Sequence, residues 1–336
     1  MARDQVGIYN IGCYIPSNVQ TSEEISKKSG ISVEVLEEKY GIKKKPKAGE
    51  NEHLSDMAIE ASKNALVDFD PLELDMIIYC GTGYKDYKIW PLATKIQYEL
   101  GALNAFSFEV NAFCVGGVMS LQLAKSMMLQ QGLNNVLIVT AARELDLVDY
   151  NNRETSFLFN FSDGAVAALI RRGYSNNLVL ESSVISDGSF SDNIKVKGGG
   201  SKHPLPKKDE LNYFEVENFD HMKERLDTTS PHNFIKVIKE SVAKSGYKPE
   251  EIDFLAPLHM KRSFHKKMLK NLNLSQSQSF YLENYGHLQA GDTFLVVKKA
   301  EEKNLIKSGD LIVMVSAGTG YTWGATTVKW DGLREK

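Results

Sequence analysis

Residues 71–80, PLELDMIIYC, and residues 249–258, PEEIDFLAPL, decide the reading of the fold. Each opens on a proline, passes through acidic residues to an aspartate, and runs into an apolar segment with almost no polar alternation. Such runs suit strands covered on both faces, since a half-exposed strand would alternate. The match continues outward in the same order. Glu109-Val-Asn111-Ala-Phe-Cys114 has a counterpart in Leu282-Glu-Asn284-Tyr-Gly-His287, and each begins a helix-like stretch. Those stretches close at Gly132 and Gly309, which lead into the buried runs NNVLIVTAA and DLIVMVSAG. Four matches in register imply an internal duplication, with halves 1–172 and 173–336. Helical patterns at Leu54 to Val67 and Phe234 to Ser245 alternate with the strands. The expectation is an α/β fold with helices on the sheet faces.

Composition narrows the classes. With 42% apolar and 25% charged residues over 336 positions, the chain is globular rather than disordered. A net charge of −3 gives no overall pull toward nucleic acid or anionic lipid. No apolar run reaches membrane-spanning length, and the N-terminus lacks the layout of a secretory signal, so a cytoplasmic protein is expected. Three cysteines without CxxC or Cys/His spacing speak against a disulfide framework or a zinc site, so no metal and no cofactor are expected.

The duplication also points to a site. Cys114 and His287 occupy equivalent positions at the starts of helix-like stretches, and His259 stands just past a buried strand, where the first half has Gly81. Sites in α/β sheets gather at the carboxyl ends of strands, so a pseudo-two-fold axis would bring the three together. The helix after Cys114, VGGVMSLQLAKSMM, is apolar nearly all round and so reads as buried. Its N-terminal N–H groups and dipole favour a thiolate, and Gly116 and Gly117 would leave room for backbone or ligand near the sulfur. The plainer alternative is a cysteine serving as a small buried hydrophobe; its position opposite a histidine argues against that. His265, in HMKRSFHKKMLK, reads as part of a solvated basic face.

These motifs resemble the thiolase superfamily, and within it the β-ketoacyl-ACP synthase III group. The resemblance is carried by VGIYNIGCYIP, FEVNAFCVGG, FSDGAVAAL, DFLAPLH, ENYGHLQAG and AGTGYTWG, in family order over almost the whole chain. It implies a thiolase fold, a duplicated five-layer αβαβα sandwich, in a homodimer. It further implies a decarboxylative Claisen condensation, in fatty-acid or specialised metabolite biosynthesis. Cys114 would carry the acyl group, His259 and His287 would bind the oxygen of a malonyl thioester, and the N–H groups of Cys114 and Thr319 would form the oxyanion hole. The substrates would be acyl thioesters of coenzyme A or of an acyl carrier protein.

The departures from the family are as informative. His287 stands where the family has Asn. Lys39 replaces an Arg, and Val35 a Trp, in the segment that clasps coenzyme A. Arg153 matches the family's second adenine-side Arg, and Trp90 matches a Phe that reaches across the dimer. With Asn111 and Arg262, these residues are the expected substrate contacts: Lys39, Trp90, Asn111, Arg153 and Arg262. A basic run, Lys39, Lys43, Lys44, Lys45 and Lys47, together with Lys261, Arg262, Lys266 and Lys267, suggests an acidic carrier protein as partner. The turn-rich stretch Ser186 to Pro206 would sit near the substrate entrance. A non-decarboxylating acyltransferase on the same fold, or a non-catalytic scaffold subunit, are the alternative readings.

Overall fold

In the computed structural model, residues 5–205 and 212–333 are described. Residues 1–4 and 334–336, at the outer ends of the expected halves, and Pro206, at the end of the turn-rich stretch, lie outside them.

The first half contributes strands β1 (Val6–Tyr14), β2 (Met76–Gly81), β3 (Phe106–Asn111), β4 (Asn135–Ala142) and β5 (Gly164–Arg172). The second contributes β6 (Leu178–Ser186), β7 (Phe254–Pro257), β8 (Leu311–Gly318) and β9 (Thr322–Lys329). All nine join in the order β7-β8-β9-β6-β1-β5-β4-β2-β3. Reading outward from the β1–β6 junction, where Gly7 faces Leu178, the two halves repeat one pattern. The first pairs antiparallel, antiparallel, then parallel twice. The second pairs antiparallel, antiparallel, then parallel, and a parallel bridge between Leu255 and Ser279 stands where a fifth strand would begin.

Six helices complete the layers: α1 (Leu54–Ala65), α2 (Leu92–Glu99), α3 (Gly116–Gln131), α4 (Phe219–Lys244), α5 (Arg262–Asn271) and α6 (Asp292–Glu302). Helix α1 covers β1, β4 and β5 on one outer face, and α4 covers β6, β8 and β9 on the other. Between the two halves, α3 touches β2 and β4 on one side and β6 and β9 on the other, while α6 lies against β1, β5, β7 and β8. This is the αβαβα arrangement. It explains why β2, β4 and β8 are buried along their whole length, as their unalternating sequences required.

The central layer sets the position of the site. Leu121 of α3 and Phe294 of α6 share one apolar core with Ile78 and Ile312 from opposite halves. Truncating such a residue to Ala costs roughly 2–5 kcal/mol. Close packing here decides between backbone and ligand beside Gly117: a Cβ there would come within 2.3 Å of the Ala290 carbonyl oxygen, so it is the neighbouring backbone that uses the space. Strand β3 ends the sheet with much of its length open. Phe106 is 45% exposed, and its ring stacks with that of Phe108 at 6.4 Å.

Candidate active site

Cys114 sits in a single 3₁₀ turn, Phe113–Val115, that leads into α3. Phe113 before it has φ of 51°, a left-handed conformation unusual for a non-glycine residue. The equivalent position before His287 is Gly286, with φ of 66°, where a Cβ would meet the Asn160 carbonyl oxygen at 2.6 Å. The repeat therefore extends to backbone conformation. In both halves a left-handed residue precedes the functional side chain. Strain of this kind persists where surrounding structure holds it. Here Ser316 of β8 donates its hydroxyl to the Cys114 carbonyl at 2.7 Å, and the His287 N–H donates to the Asn160 carbonyl at 2.7 Å.

The sulfur of Cys114 lies 3.1 Å from His287 Nε2, and the thiol donates to Gln289 Oε1 at 2.9 Å. On its other side, His287 Nδ1 meets Asp292 Oδ2 at 2.5 Å. Asp292, the first residue of α6, also accepts the N–H of His259 and the N–H of Leu288, each at 2.6 Å. One carboxylate thus fixes the tautomer of His287 and ties it to the strand end that carries His259. Burial opposes charge on His287, but the Asp292 carboxylate and Cys114 outweigh it and hold the imidazole well above its ordinary pKa. Nε2 is thereby placed within reach of the thiol proton.

His259 behaves in the opposite way. Burial, reinforced by His287 and His265, pushes it down to about 3, so it is neutral near pH 7. Both ring nitrogens are buried without a hydrogen-bond partner, and the ring leans on Tyr281 at 5.0 Å between centroids. A buried unpaired imidazole is costly, and such groups occur where a ligand will supply the partner. Burial pushes the thiols of Cys13 and Cys80 each up to about 12.

Cys114, His259, His287 and Thr319 line one cavity of about 220 Å³, with Tyr40, Met260 and Lys261 also in its wall. The expected substrate contacts are placed differently. Lys39 and Arg153 are exposed, and neither lines this cavity; Tyr40, next to Lys39, does. Arg262 turns away to pair with Glu283 at 2.8 Å over the ring of Tyr281. Trp90 packs against the core beneath α1 and α2, and Asn111 is exposed at the end of β3. Two expectations are corrected. His265 is only 5% exposed and packs edge-on against Tyr281, because its face of α5 is the inner one. Lys45 is not part of a surface cluster: it is fully buried, donates to the Phe159 carbonyl and the Tyr150 hydroxyl, and is pushed down to about 7 by burial.

Sequence reasoning missed Asp292 and Gln289. Asp292 reads as an ordinary acidic residue in a first helical turn, and its counterpart in the first half is Met119, so the repeat offers no hint. Gln289 has φ of 51°, which residue type does not announce. Among the described residues, no group of three or more His, Cys, Asp or Glu could hold a metal ion, and no helix is long and apolar enough to cross a membrane.

Comparison with known proteins agrees with this geometry. Residues 108–188 match the family described as 3-oxoacyl-[acyl-carrier-protein] synthase III, and residues 242–330 match its C-terminal family. The β-ketoacyl-[acyl-carrier-protein] synthase III of Caldanaerobacter subterraneus is 31% identical, over 97% of this chain and 98% of that protein. The same enzyme of Clostridium acetobutylicum is 30% identical, over 97% and 99%. Among solved structures, the 3-oxoacyl-[acyl-carrier-protein] synthase III of Aquifex aeolicus superposes with a TM-score of 0.84 at 26% identity, covering 97% of this chain and 100% of that one.

Proposed function

The chain belongs to the 3-oxoacyl-[acyl-carrier-protein] synthase III family, and from that membership and the site's geometry we propose a decarboxylative condensation carried by Cys114. The observation that carries the reading is the line Cys114–His287–Asp292, with an unpartnered His259 in the same cavity wall. In the first step the thiol proton passes to His287 Nε2 and the sulfur attacks an acyl thioester. The departing thiol takes the proton back. In the second step a malonyl thioester loses CO2, and the bond electrons enter its thioester as an enolate. Neutral His259 is the donor available to the enolate oxygen, and His287, held well above its ordinary pKa, joins it once Nε2 has taken up a proton from solvent. The enolate carbon attacks the acyl carbonyl, whose oxygen is assigned to the N–H groups of Cys114 and Thr319, and Cys114 leaves as thiolate.

The substrates in this reading are an acyl thioester, of coenzyme A or of an acyl carrier protein, and a malonyl thioester. Lys261 at the cavity wall and the exposed Lys44, Lys266 and Lys267 supply positive charge suited to an acidic carrier protein. The open β3 edge with its paired phenylalanines supports a homodimer built by edge-to-edge pairing, since such an edge is a template for another strand.

One observation favours a second reading. The Asp292–His287 relay is also a base for an incoming hydroxyl or amine, which would make the protein a non-decarboxylating acyltransferase. The two readings separate on carbon dioxide. Acyl-loaded protein given a malonyl thioester should release one CO2 for each β-keto product. Acyl transfer with no CO2 released refutes the condensation.

A further inference from the structure

A second, larger chamber of about 720 Å³ opens on the other side of Gln289 and Thr319. Phe161, Ile194 and Thr319 line both cavities, so the chamber adjoins the one that holds Cys114. Tyr84, Phe113, Phe161 and Phe214 contribute aromatic rings to its wall. Yet a carboxyl group, Glu144, lines it from just beyond β4 and is 1% exposed. The Thr82 hydroxyl donates to Glu144 Oε1 at 2.5 Å, and the Arg143 N–H donates to Oε2 at 2.9 Å. Neighbouring cations are engaged elsewhere, Lys85 with Glu109 at 2.7 Å and Arg143 with Asp146 at 3.2 Å. A carboxyl has about four acceptor sites, so Glu144 keeps capacity for another donor. Burial raises its pKa, outweighing the hydrogen bonds from Thr82 and from the backbone N–H groups of Glu144 and Arg143 and the charge of His287.

We propose that this chamber is a polar acyl subsite: Glu144 accepts a hydrogen bond from a hydroxyl carried on the acyl chain bound to Cys114. The inference rests on the acyl-carrying role of Cys114 and adds the class of acyl group. A neutral donor fits best. Lys88 and Lys195 in the same wall disfavour an ammonium group, and Glu144 with Asp86 disfavours a carboxylate. A site built around a hydroxyl also rejects the chain that lacks it, because the carboxyl would then be desolvated without its partner.

The test compares loading of Cys114, by intact-protein mass spectrometry, from matched acyl thioesters of different lengths with and without a terminal hydroxyl. At least one hydroxylated chain should load about tenfold or more faster than its unsubstituted partner. That ratio should collapse toward one in Glu144→Leu and survive in part in Glu144→Gln, which keeps an acceptor oxygen. No hydroxyl preference in the unaltered protein overturns the proposal without any variant having to fold, and so does a preference that persists in Glu144→Leu. Unsubstituted chains that load normally leave the role of Cys114 intact while the subsite fails. A protein that loads from no thioester at all removes both.

Discussion

Replacing Asp292 by Asn leaves the shape of the site and removes its charge. The Asp292 carboxylate receives three donors, the N–H of Leu288 on one oxygen and the N–H of His259 with His287 Nδ1 on the other. An amide has only one acceptor oxygen, so in either orientation its NH2 group must face a donor. If the oxygen stays toward His287, a charge-assisted hydrogen bond becomes a neutral one, a loss of about 1.5–3 kcal/mol or roughly 10- to 100-fold in rate. If the NH2 turns toward His287, the imidazole must place its proton on Nε2, where it cannot accept the thiol proton. An equivalent tautomer error in a serine-protease triad costs about 10⁴-fold. Single-turnover acylation of Cys114, followed by intact mass at pH 7, should therefore slow by roughly 10²-fold or more. Its pH profile should move downward, since without the carboxylate the imidazole gives up its proton at lower pH. Circular dichroism and melting establish that the variant is folded. A folded Asp292→Asn protein that acylates within about threefold of the unaltered one would refute the relay.

Three more outcomes are expected. His287→Asn, which restores the family's usual residue, should impair Cys114 loading about as much as His287→Ala, roughly 10²-fold or more, because both remove the base; near-normal loading in the Asn variant would reduce His287 to a hydrogen-bond donor. Stability should fall on acidification from pH 6.5 toward 4, since His259 and His265 have folded pKa values lowered to about 3 and about 4. The unfolded chain binds protons there that the folded one refuses, so stability rises with pH in this window by up to about 1.4 kcal/mol per pH unit for each group. Urea midpoints of His265→Gln should show the slope reduced by about one such group. Finally, Phe106→Lys with Phe108→Glu should convert a dimer to monomer in analytical ultracentrifugation; an unchanged mass would place the interface elsewhere.

Much of this architecture was legible because duplication writes the same instruction twice. The runs after Asp75 and Asp253 became β2 and β7, parallel partners of β4 and β8. Cys114 and His287 met because equivalent left-handed turns, at Phe113 and Gly286, open equivalent segments. The same logic could not find Asp292, whose counterpart Met119 carries no related chemistry. It also misplaced charges. Lys45 and His265 look solvated in sequence because their neighbours are lysines, yet short strands and helix faces alternate, and these two residues fell on the inner side. Glu144 is the same problem in reverse: a carboxyl after a buried strand reads as the start of a loop, and only the chamber beside it gives it a ligand.

The measurement closest to the centre of this account is peptide mapping after incubation with an acyl thioester and no malonyl donor. The account predicts one acyl group per chain, on the peptide containing Cys114, absent from Cys114→Ala. A chain that stays unmodified, or a label that persists in Cys114→Ala, would contradict it.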